Sequence, residues 1–296
     1  MQNRIPSLST PIVTPFDKSQ QFDEKQFGHL LDHLTTAGVE GIMIGGTTGE
    51  FASLSLDELL QVVAVAVDRV HEDTVIMVGG APCAISAAHE WVTRIGSAGA
   101  DAGVVTAPYF HTSNSVEGMV RYFEILDEAS EIPLMAYNIP TYVGEVIPLE
   151  VLERIAMLNN FIGLKDSSGD LAYGLRALEV APDDFTILQG YDPLLIPSLR
   201  MGFDGGVNLL SNLVPKTYLA ITDDPTSEAS QIYQHRVIEP LFDLCDHYGF
   251  AAGIKAALTV RGWLSSTSVR PPLQKIPAQE IEPAVRDVLE LTPPSR

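Results

Sequence analysis

Cysteine, lysine and long apolar runs are all scarce in this chain of 296 residues. Cys83 and Cys245, the two cysteines, show no CxxC spacing, which favours buried free thiols over a disulfide or a metal pair. No apolar run reaches about 18 residues, so no membrane-spanning helix is expected. The N-terminal MQNRIPSLSTPIVTPF lacks a charged region followed by an apolar one, which predicts no signal peptide and a cytoplasmic location.

Acidic residues outnumber basic ones: the chain has 38 acidic and 18 basic residues and a net charge of −20. Such a charge repels nucleic acids and anionic lipids, so neither nucleic acid nor membrane is expected as a partner. The acidic residues are dispersed and form no tail. Because salt screens the repulsion between surface charges, a dispersed acidic surface with only six lysines indicates a halophilic protein from a high-salt cytoplasm.

Short apolar runs alternate with longer stretches of helical periodicity. Strands are predicted at 11–16, 41–46, 74–80, 102–108, 133–138, 161–166, 185–190 and 204–210. Helices are predicted between them at 24–37, 55–70, 84–100, 115–130, 148–158, 170–181 and 193–202. Eight such units with apolar strands, in about 220 residues, fit an α/β fold of the (β/α)8 TIM barrel type. We expect a single domain over 1–296, with the barrel at about 5–224 and C-terminal helices at about 225–292.

Lys165 ends the apolar strand predicted at 161–166. In TIM barrels, functional residues gather at the C-terminal ends of the strands. Burial disfavours an ammonium group, so a larger share of neutral amine is expected there, and an amine can form an imine with a ketone. Taken alone, the residue also fits a structural role, in solvent or paired with Asp166.

Tyr137 ends the preceding predicted strand, so it should lie beside Lys165 at the same height in the barrel. A phenol at that place can carry protons between water, the imine precursor and a substrate hydroxyl. The alternative is a core tyrosine whose hydroxyl bonds to the backbone.

The sequence GGTTGE at 45–50 follows the second predicted strand. Its first two glycines allow the backbone to approach a ligand closely, and N–H groups near Thr47 and Thr48, at a helix start, form a nest for one carboxylate. A capped turn without a ligand is the alternative.

Other candidate sites are weaker. His29 and His33 lie four residues apart on a predicted helix, but no third ligand accompanies them, so no metal and no other cofactor is expected. DSSGD at 166–170 does not match the GxSxG of serine hydrolases. Lys255 lies on an apolar helix and is a candidate to pair with an acid near the barrel.

Together these motifs resemble the dihydrodipicolinate synthase / N-acetylneuraminate lyase family of class I pyruvate aldolases. The resemblance covers essentially the whole chain and rests on TPF near residue 14, GGTTGE, APYF at 107–110, YNIPTYVG at 137–144, GLKD at 163–166 and RPP at 270–272. It implies that Lys165 forms a Schiff base with pyruvate, that Tyr137 relays protons, and that Thr47 and Thr48 hold the pyruvate carboxylate. It also implies a homotetramer.

Four positions depart from the patterns of particular family members. Tyr142 stands where the synthases usually have an arginine for the second substrate's carboxylate, and Phe110 stands where they have a second tyrosine. Pro193 and Leu209 replace a glutamate and a serine that the resemblance implies for sialic acid lyases. Both of these activities are therefore disfavoured.

The remaining resemblance is to 2-keto-3-deoxygluconate-type aldolases, which split a keto-deoxy sugar acid into pyruvate and an aldehyde. Thr141, Tyr191 and Asp192 are then candidates to bind the hydroxylated tail. Alternatives are 4-hydroxy-tetrahydrodipicolinate (dihydrodipicolinate) synthase, a keto-deoxy sugar acid dehydratase, a metal-dependent class II aldolase and a non-catalytic keto-acid-binding barrel.

Overall fold

Eight parallel strands close into a barrel in chain order, and β1 pairs with both β2 and β8. The computed structural model describes residues 5–80, 82–110 and 115–292. The strands are β1 (Leu8–Pro11), β2 (Gly41–Ile44), β3 (Val75–Gly80), β4 (Ala102–Thr106), β5 (Leu134–Asn138), β6 (Phe161–Asp166), β7 (Thr186–Gln189) and β8 (Gly205–Val207). The predicted (β/α)8 barrel is confirmed.

Helices follow the strands and cover the barrel. The first seven are α1 (Glu24–Ala37), α2 (Leu56–Arg69), α3 (Ile85–Ser97), α4 (Val116–Ala129), α5 (Pro140–Val143), α6 (Leu149–Ile155) and α7 (Leu171–Val180). The others are α8 (Leu195–Arg200), α9 (Pro215–Asp223), α10 (Glu228–Tyr233), α11 (Glu239–Tyr248), α12 (Phe250–Val260) and α13 (Ala278–Leu289). In the described part of the chain, no helix is long and apolar enough to cross a membrane.

Polar signals set the starts of several helices. Asp23 and Asp170 accept hydrogen bonds from the first-turn N–H groups of α1 and α7. Ser55 and Glu58 form a capping box at the start of α2, in which each side chain bonds to the other residue's backbone N–H. These caps explain why the predicted helix boundaries lie within a few residues of the observed ones.

The first predicted strand is wrong in position. The prediction placed it at 11–16, whereas β1 spans Leu8–Pro11. Ser9 and Thr10 are fully buried in β1 although both are polar, and Ile12 and Val13 are buried in the loop after it. A run of apolar residues indicates burial but does not by itself indicate a strand. Here the buried Ile12 and Val13 belong to the loop that follows β1.

The strand register places the candidate catalytic residues side by side. Tyr137 of β5 is the register partner of Lys165 of β6, and the next pair is Asn138 with Asp166. Leu164, before the lysine, is fully buried. The C-terminal ends of these two parallel strands therefore present a phenol and an amine at one height in the barrel.

Candidate active site

A cleft of about 70 Å³ lies at the C-terminal ends of the strands. All seven residues predicted for the site line it: Thr47, Thr48, Tyr137, Thr141, Lys165, Tyr191 and Asp192. The rest of the lining is mostly apolar: Pro11, Ile139, Tyr142, Ser167, Gly190, Val207, Leu209, Phe242 and Phe250. The barrel thus brings residues from distant parts of the chain to one cleft.

Lys165 is only 3% exposed and its amine lies in a weakly polar environment. The Nζ atom is 3.5 Å from the Met43 sulfur and 4.0 Å from the centroid of the Tyr137 ring. This geometry places the nitrogen where an electrophile in the cleft can reach it.

Asp166, the next residue in the chain, has other partners than this lysine. Its carboxylate accepts hydrogen bonds from Asn138 Nδ2 at 2.8 Å and from Ser168 Oγ at 3.0 Å. Burial raises the pKa of Asp166 to about 6, although these hydrogen bonds oppose the rise. Asn138 Oδ1 also accepts from the Ile147 N–H at 3.0 Å. This network holds the ends of β5 and β6 together and leaves Lys165 directed into the cleft.

The Tyr137 hydroxyl is linked to the glycine-rich turn. It lies 3.4 Å from Thr47 Oγ1, so one of the two hydroxyls can donate to the other. Tyr137 therefore contacts both the amine side of the cleft and the turn predicted to hold a carboxylate. A phenol between two such groups is placed to transfer a proton.

The turn itself is compact. Gly45 has a φ of +65°, and a Cβ built on it would lie 2.6 Å from Leu59 Cδ1, so a side chain there would be strained and would displace Leu59. The Thr14 hydroxyl donates to the Gly49 carbonyl at 2.8 Å and fixes the turn's far end. The turn leads only into one turn of 3-10 helix, Phe51–Ser53, and α2 begins at Leu56, so Thr47 and Thr48 do not stand at the start of an α-helix. Any anion bound at this turn therefore depends on the local N–H groups and hydroxyls, without the dipole of α2.

Glu50, the last residue of the turn, is buried and has a left-handed backbone conformation with a φ of 58°. It forms an ion pair with Lys255 Nζ, and both side chains are fully buried. Burial lowers the pKa of Lys255 to about 8, although the attraction of Glu50 opposes the change. The sequence made Lys255 a candidate to pair with an acidic residue but did not identify that residue as Glu50.

Aromatic rings form the outer wall of the cleft. Tyr191 packs edge-on against Phe242 with the ring centroids 4.7 Å apart, and Phe242 lies 5.2 Å from Phe250. Tyr142 is 55% exposed at the cleft mouth. Sequence reasoning missed Phe242 and Phe250, because these residues belong to C-terminal helices whose return to the barrel end leaves no local signal.

Asp192 lines the cleft, but its carboxylate already has three donors. These are the N–H groups of Leu209 at 3.1 Å and Leu210 at 2.9 Å, and the Tyr218 hydroxyl at 2.5 Å. Burial raises the pKa of Asp192, and hydrogen bonds oppose the rise. These contacts join the segment after β7 to the segment after β8, and the predicted role of Asp192 in binding the substrate tail stays a prediction.

Charged and metal-binding groups are few around the cleft. Among the described residues that line it, Lys165 alone has a basic side chain. The described parts of the chain contain no group of three or more His, Cys, Asp or Glu residues that could hold a metal. His33 instead packs against Trp263, with ring centroids 3.5 Å apart.

The chain is similar over most of its length to proteins of one known family. The family model described as "Dihydrodipicolinate synthetase family" matches residues 5–291. A 4-hydroxy-tetrahydrodipicolinate synthase of Methanococcoides burtonii is 31% identical over 273 residues, covering 90% of this chain and 92% of that protein. One from Syntrophus aciditrophicus is 31% identical over 269 residues, covering 90% and 91%.

Solved structures show the same similarity. A prophage protein of E. coli, belonging to the dihydrodipicolinic acid synthase family and in complex with pyruvate, matches with a TM-score of 0.88 and 26% identity, covering 96% of this chain and 98% of that one. A chloride-inhibited dihydrodipicolinate synthase of Acinetobacter baumannii, also complexed with pyruvate, matches with a TM-score of 0.90 and 25% identity, covering 97% and 99%. These matches confirm the resemblance found in the motifs.

Proposed function

Because this chain belongs to the dihydrodipicolinate synthetase family of class I aldolases, we propose that Lys165 is the residue that forms an imine with pyruvate. The observation that carries this assignment is the buried amine in the cleft, 4.0 Å from the centroid of the Tyr137 ring. The amine attacks the pyruvate ketone, and loss of water from the carbinolamine gives the imine. Loss of a proton from the adjacent methyl group then gives an enamine, the carbon nucleophile that attacks an aldehyde.

The neighbouring residues have complementary roles in this proposal. Tyr137 moves protons to and from the carbinolamine oxygen and the new hydroxyl, since its own hydroxyl lies in the cleft near Thr47. Thr47 and Thr48, with the N–H groups of their turn, bind the pyruvate carboxylate. Binding of the carboxylate there orients the ketone toward Lys165.

For the aldehyde partner, the family relatives favour 4-hydroxy-tetrahydrodipicolinate synthase over the 2-keto-3-deoxygluconate aldolase predicted from the motifs. The relatives from Methanococcoides burtonii and Syntrophus aciditrophicus are both 4-hydroxy-tetrahydrodipicolinate synthases, and each match covers 90% of this chain. The synthase joins pyruvate to aspartate semialdehyde, so that aldehyde is the first to be assayed.

A second candidate, the 2-keto-3-deoxygluconate-type aldolase, is favoured by the composition of the cleft. Among the described lining residues, no basic side chain other than Lys165 is available for a second carboxylate. Tyr142 occupies the mouth, and the hydroxyls of Thr141 and Tyr191 offer hydrogen bonds to an uncharged, hydroxylated aldehyde. A keto-deoxy sugar acid dehydratase uses the same imine, and the same substrate panel tests for it.

The test combines trapping with a substrate panel. Borohydride should inactivate the protein only in the presence of pyruvate, and a chelator should change neither inactivation nor turnover. Pyruvate is then supplied with aspartate semialdehyde or glyceraldehyde, and 2-keto-3-deoxygluconate is supplied alone. Product formation identifies the partner. Keto-acid binding without turnover of any of these compounds would identify a non-catalytic binding protein and contradict the proposal.

Three further properties stay predictions. The homotetramer is what the family resemblance implies, and the cytoplasmic location stays an expectation. The halophilic character rests on the net charge of −20. Sedimentation measured across a range of potassium chloride concentrations tests both the assembly and its need for salt.

A further inference from the structure

Glu50 and Lys255 form a buried ion pair that lies outside the cleft. Glu50 lines a neighbouring groove of about 320 Å³, and neither residue lines the cleft that contains Lys165. Both side chains have 0% exposure. A buried charge costs several kcal/mol unless it is paired and hydrogen-bonded, so the pair must be held by specific contacts.

The hydrogen bonds that hold the pair come from the C-terminal part of the chain, and Lys255 Nζ also lies 4.3 Å from the centroid of the Phe16 ring. Lys255 Nζ donates to the Ser268 carbonyl at 2.9 Å as well as to Glu50 Oε1. The second carboxylate oxygen, Oε2, accepts from the Arg270 N–H at 2.9 Å. Helix α12 and the segment after it are therefore attached to a single acidic side chain of the barrel.

That side chain belongs to the turn that forms the inner wall of the cleft. The Glu50 N–H donates to the Thr47 carbonyl at 3.1 Å, and the Phe51 N–H donates to the Gly46 carbonyl at 3.3 Å. Thr47 Oγ1 in turn lies 3.4 Å from the Tyr137 hydroxyl. A shift of Glu50 would thus be transmitted through one backbone hydrogen bond to a residue of the cleft.

Glu50 also has a backbone conformation that other contacts must maintain. Its φ of 58° and ψ of 39° lie in the left-handed region, which is unfavourable for a residue with a Cβ. The side chain accepts hydrogen bonds from Lys255 and Arg270, and these contacts keep it in place. The ion pair therefore stabilises a turn geometry that the sequence of the turn does not favour by itself.

We propose that Glu50 and Lys255 are positioning residues, which hold the 45–50 turn so that Thr47 and Thr48 face the amine of Lys165. This inference rests on the proposed function, since it assigns the turn to the pyruvate carboxylate. Loss of the pair lets the turn move away from Lys165, which weakens the binding of pyruvate. The amine itself keeps its contacts with Met43 and Tyr137, so imine formation at saturating pyruvate changes little.

Pyruvate-dependent inactivation by borohydride measures both effects without an aldehyde. The double variant Glu50→Gln/Lys255→Met removes both charges, so neither is left buried and unpaired. We expect the half-saturating pyruvate concentration to rise about tenfold, the scale of one lost charged hydrogen bond. The maximal inactivation rate should change less than about threefold, because carboxylate binding contributes equally before and during the reaction. The exposed Lys275→Met is the matched control and should behave as the wild type does.

A conservative variant keeps the inference testable if the double variant unfolds. Glu50→Asp keeps both charges, so neither is left buried and unpaired, but its shorter side chain weakens the contacts with Lys255 and Arg270, and the half-saturating pyruvate concentration should rise. The inference is overturned if a folded double variant has the half-saturating concentration of the wild type, or if only its maximal rate falls. A folded Glu50→Asp variant with the half-saturating concentration of the wild type also overturns it. Wild-type protein that pyruvate does not sensitise to borohydride contradicts the proposed function itself, and the positioning role with it.

Discussion

Tyr137 and Lys165 are register partners on adjacent strands, and the lysine Nζ lies 4.0 Å from the centroid of the tyrosine ring. The same phenol is 3.4 Å from Thr47 Oγ1. One side chain thus connects the proposed imine nitrogen with the proposed carboxylate site. The arrangement depends on the C-terminal ends of β5 and β6. Single substitutions there separate the role of the phenol from that of the amine.

Tyr137→Phe keeps the ring beside Lys165 and removes only the hydroxyl. We expect kcat to fall by about 10²–10⁴-fold, the usual contribution of a positioned proton donor and acceptor. The pyruvate adduct should still form, more slowly, because the amine is unchanged. Turnover and borohydride trapping measured on the same variant check this. A variant with full turnover would show that Tyr137 is a packing residue.

Tyr142→Arg places a guanidinium at the cleft mouth, where the tyrosine is 55% exposed and the longer side chain has space. If the missing basic group limits the choice of aldehyde, the ratio of kcat/KM for aspartate semialdehyde to that for glyceraldehyde should rise about tenfold. Met157→Arg is the charge-matched control, since Met157 is 75% exposed and does not line the cleft. An equal ratio in both variants would show that Tyr142 does not select the substrate.

Asp192→Ala removes an acceptor shared by two N–H groups and the Tyr218 hydroxyl. Because these donors are left buried without a partner, the free energy of unfolding should fall by about 3 kcal/mol. Urea denaturation measures the change, and exposed Asp183→Ala is the control. A loss of activity at unchanged stability would assign Asp192 to the substrate tail, as the sequence first suggested.

We expect part of the stability of the fold to be lost in acid because of His33. Burial, together with repulsion from Arg261 and Lys216, lowers its pKa to about 4. An unfolded histidine titrates near 6.5, so between about pH 6.5 and pH 4 the unfolded state binds the proton first. The free energy of unfolding should therefore fall as the pH is lowered through this window, and that of His33→Gln should fall less. Denaturation at about pH 7 and pH 4.5 compares the two proteins, and equal falls would contradict the assignment.

The residues at strand ends were predictable from sequence because a TIM barrel brings such positions together. Lys165 and Tyr137 follow apolar runs, and register alone makes them neighbours. Contacts that depend on the return of the C-terminal helices were not predictable. Phe250 in the cleft wall and Glu50 as the partner of Lys255 are examples, since each contact spans a large sequence separation.

The first strand and Asp192 show a different limit. Leu8–Pro11 forms a strand with two buried hydroxyl residues, so the hydrophobic pattern does not mark it. The prediction that Asp192 binds substrate stays a prediction, and the sequence did not show that its carboxylate accepts from Leu209, Leu210 and Tyr218. Position in the barrel shows which residues reach the cleft, and the hydrogen bonds show which of them are already engaged.

The most direct test of the imine assignment is the site of the pyruvate adduct. Protein treated with pyruvate and borohydride is digested, and the peptides are mapped by mass spectrometry. We expect the reduced adduct on Lys165 and none on Lys255, the other fully buried lysine. Lys165→Arg should abolish the adduct while the protein remains folded. An adduct on another lysine, or none on folded protein at saturating pyruvate, would contradict the account.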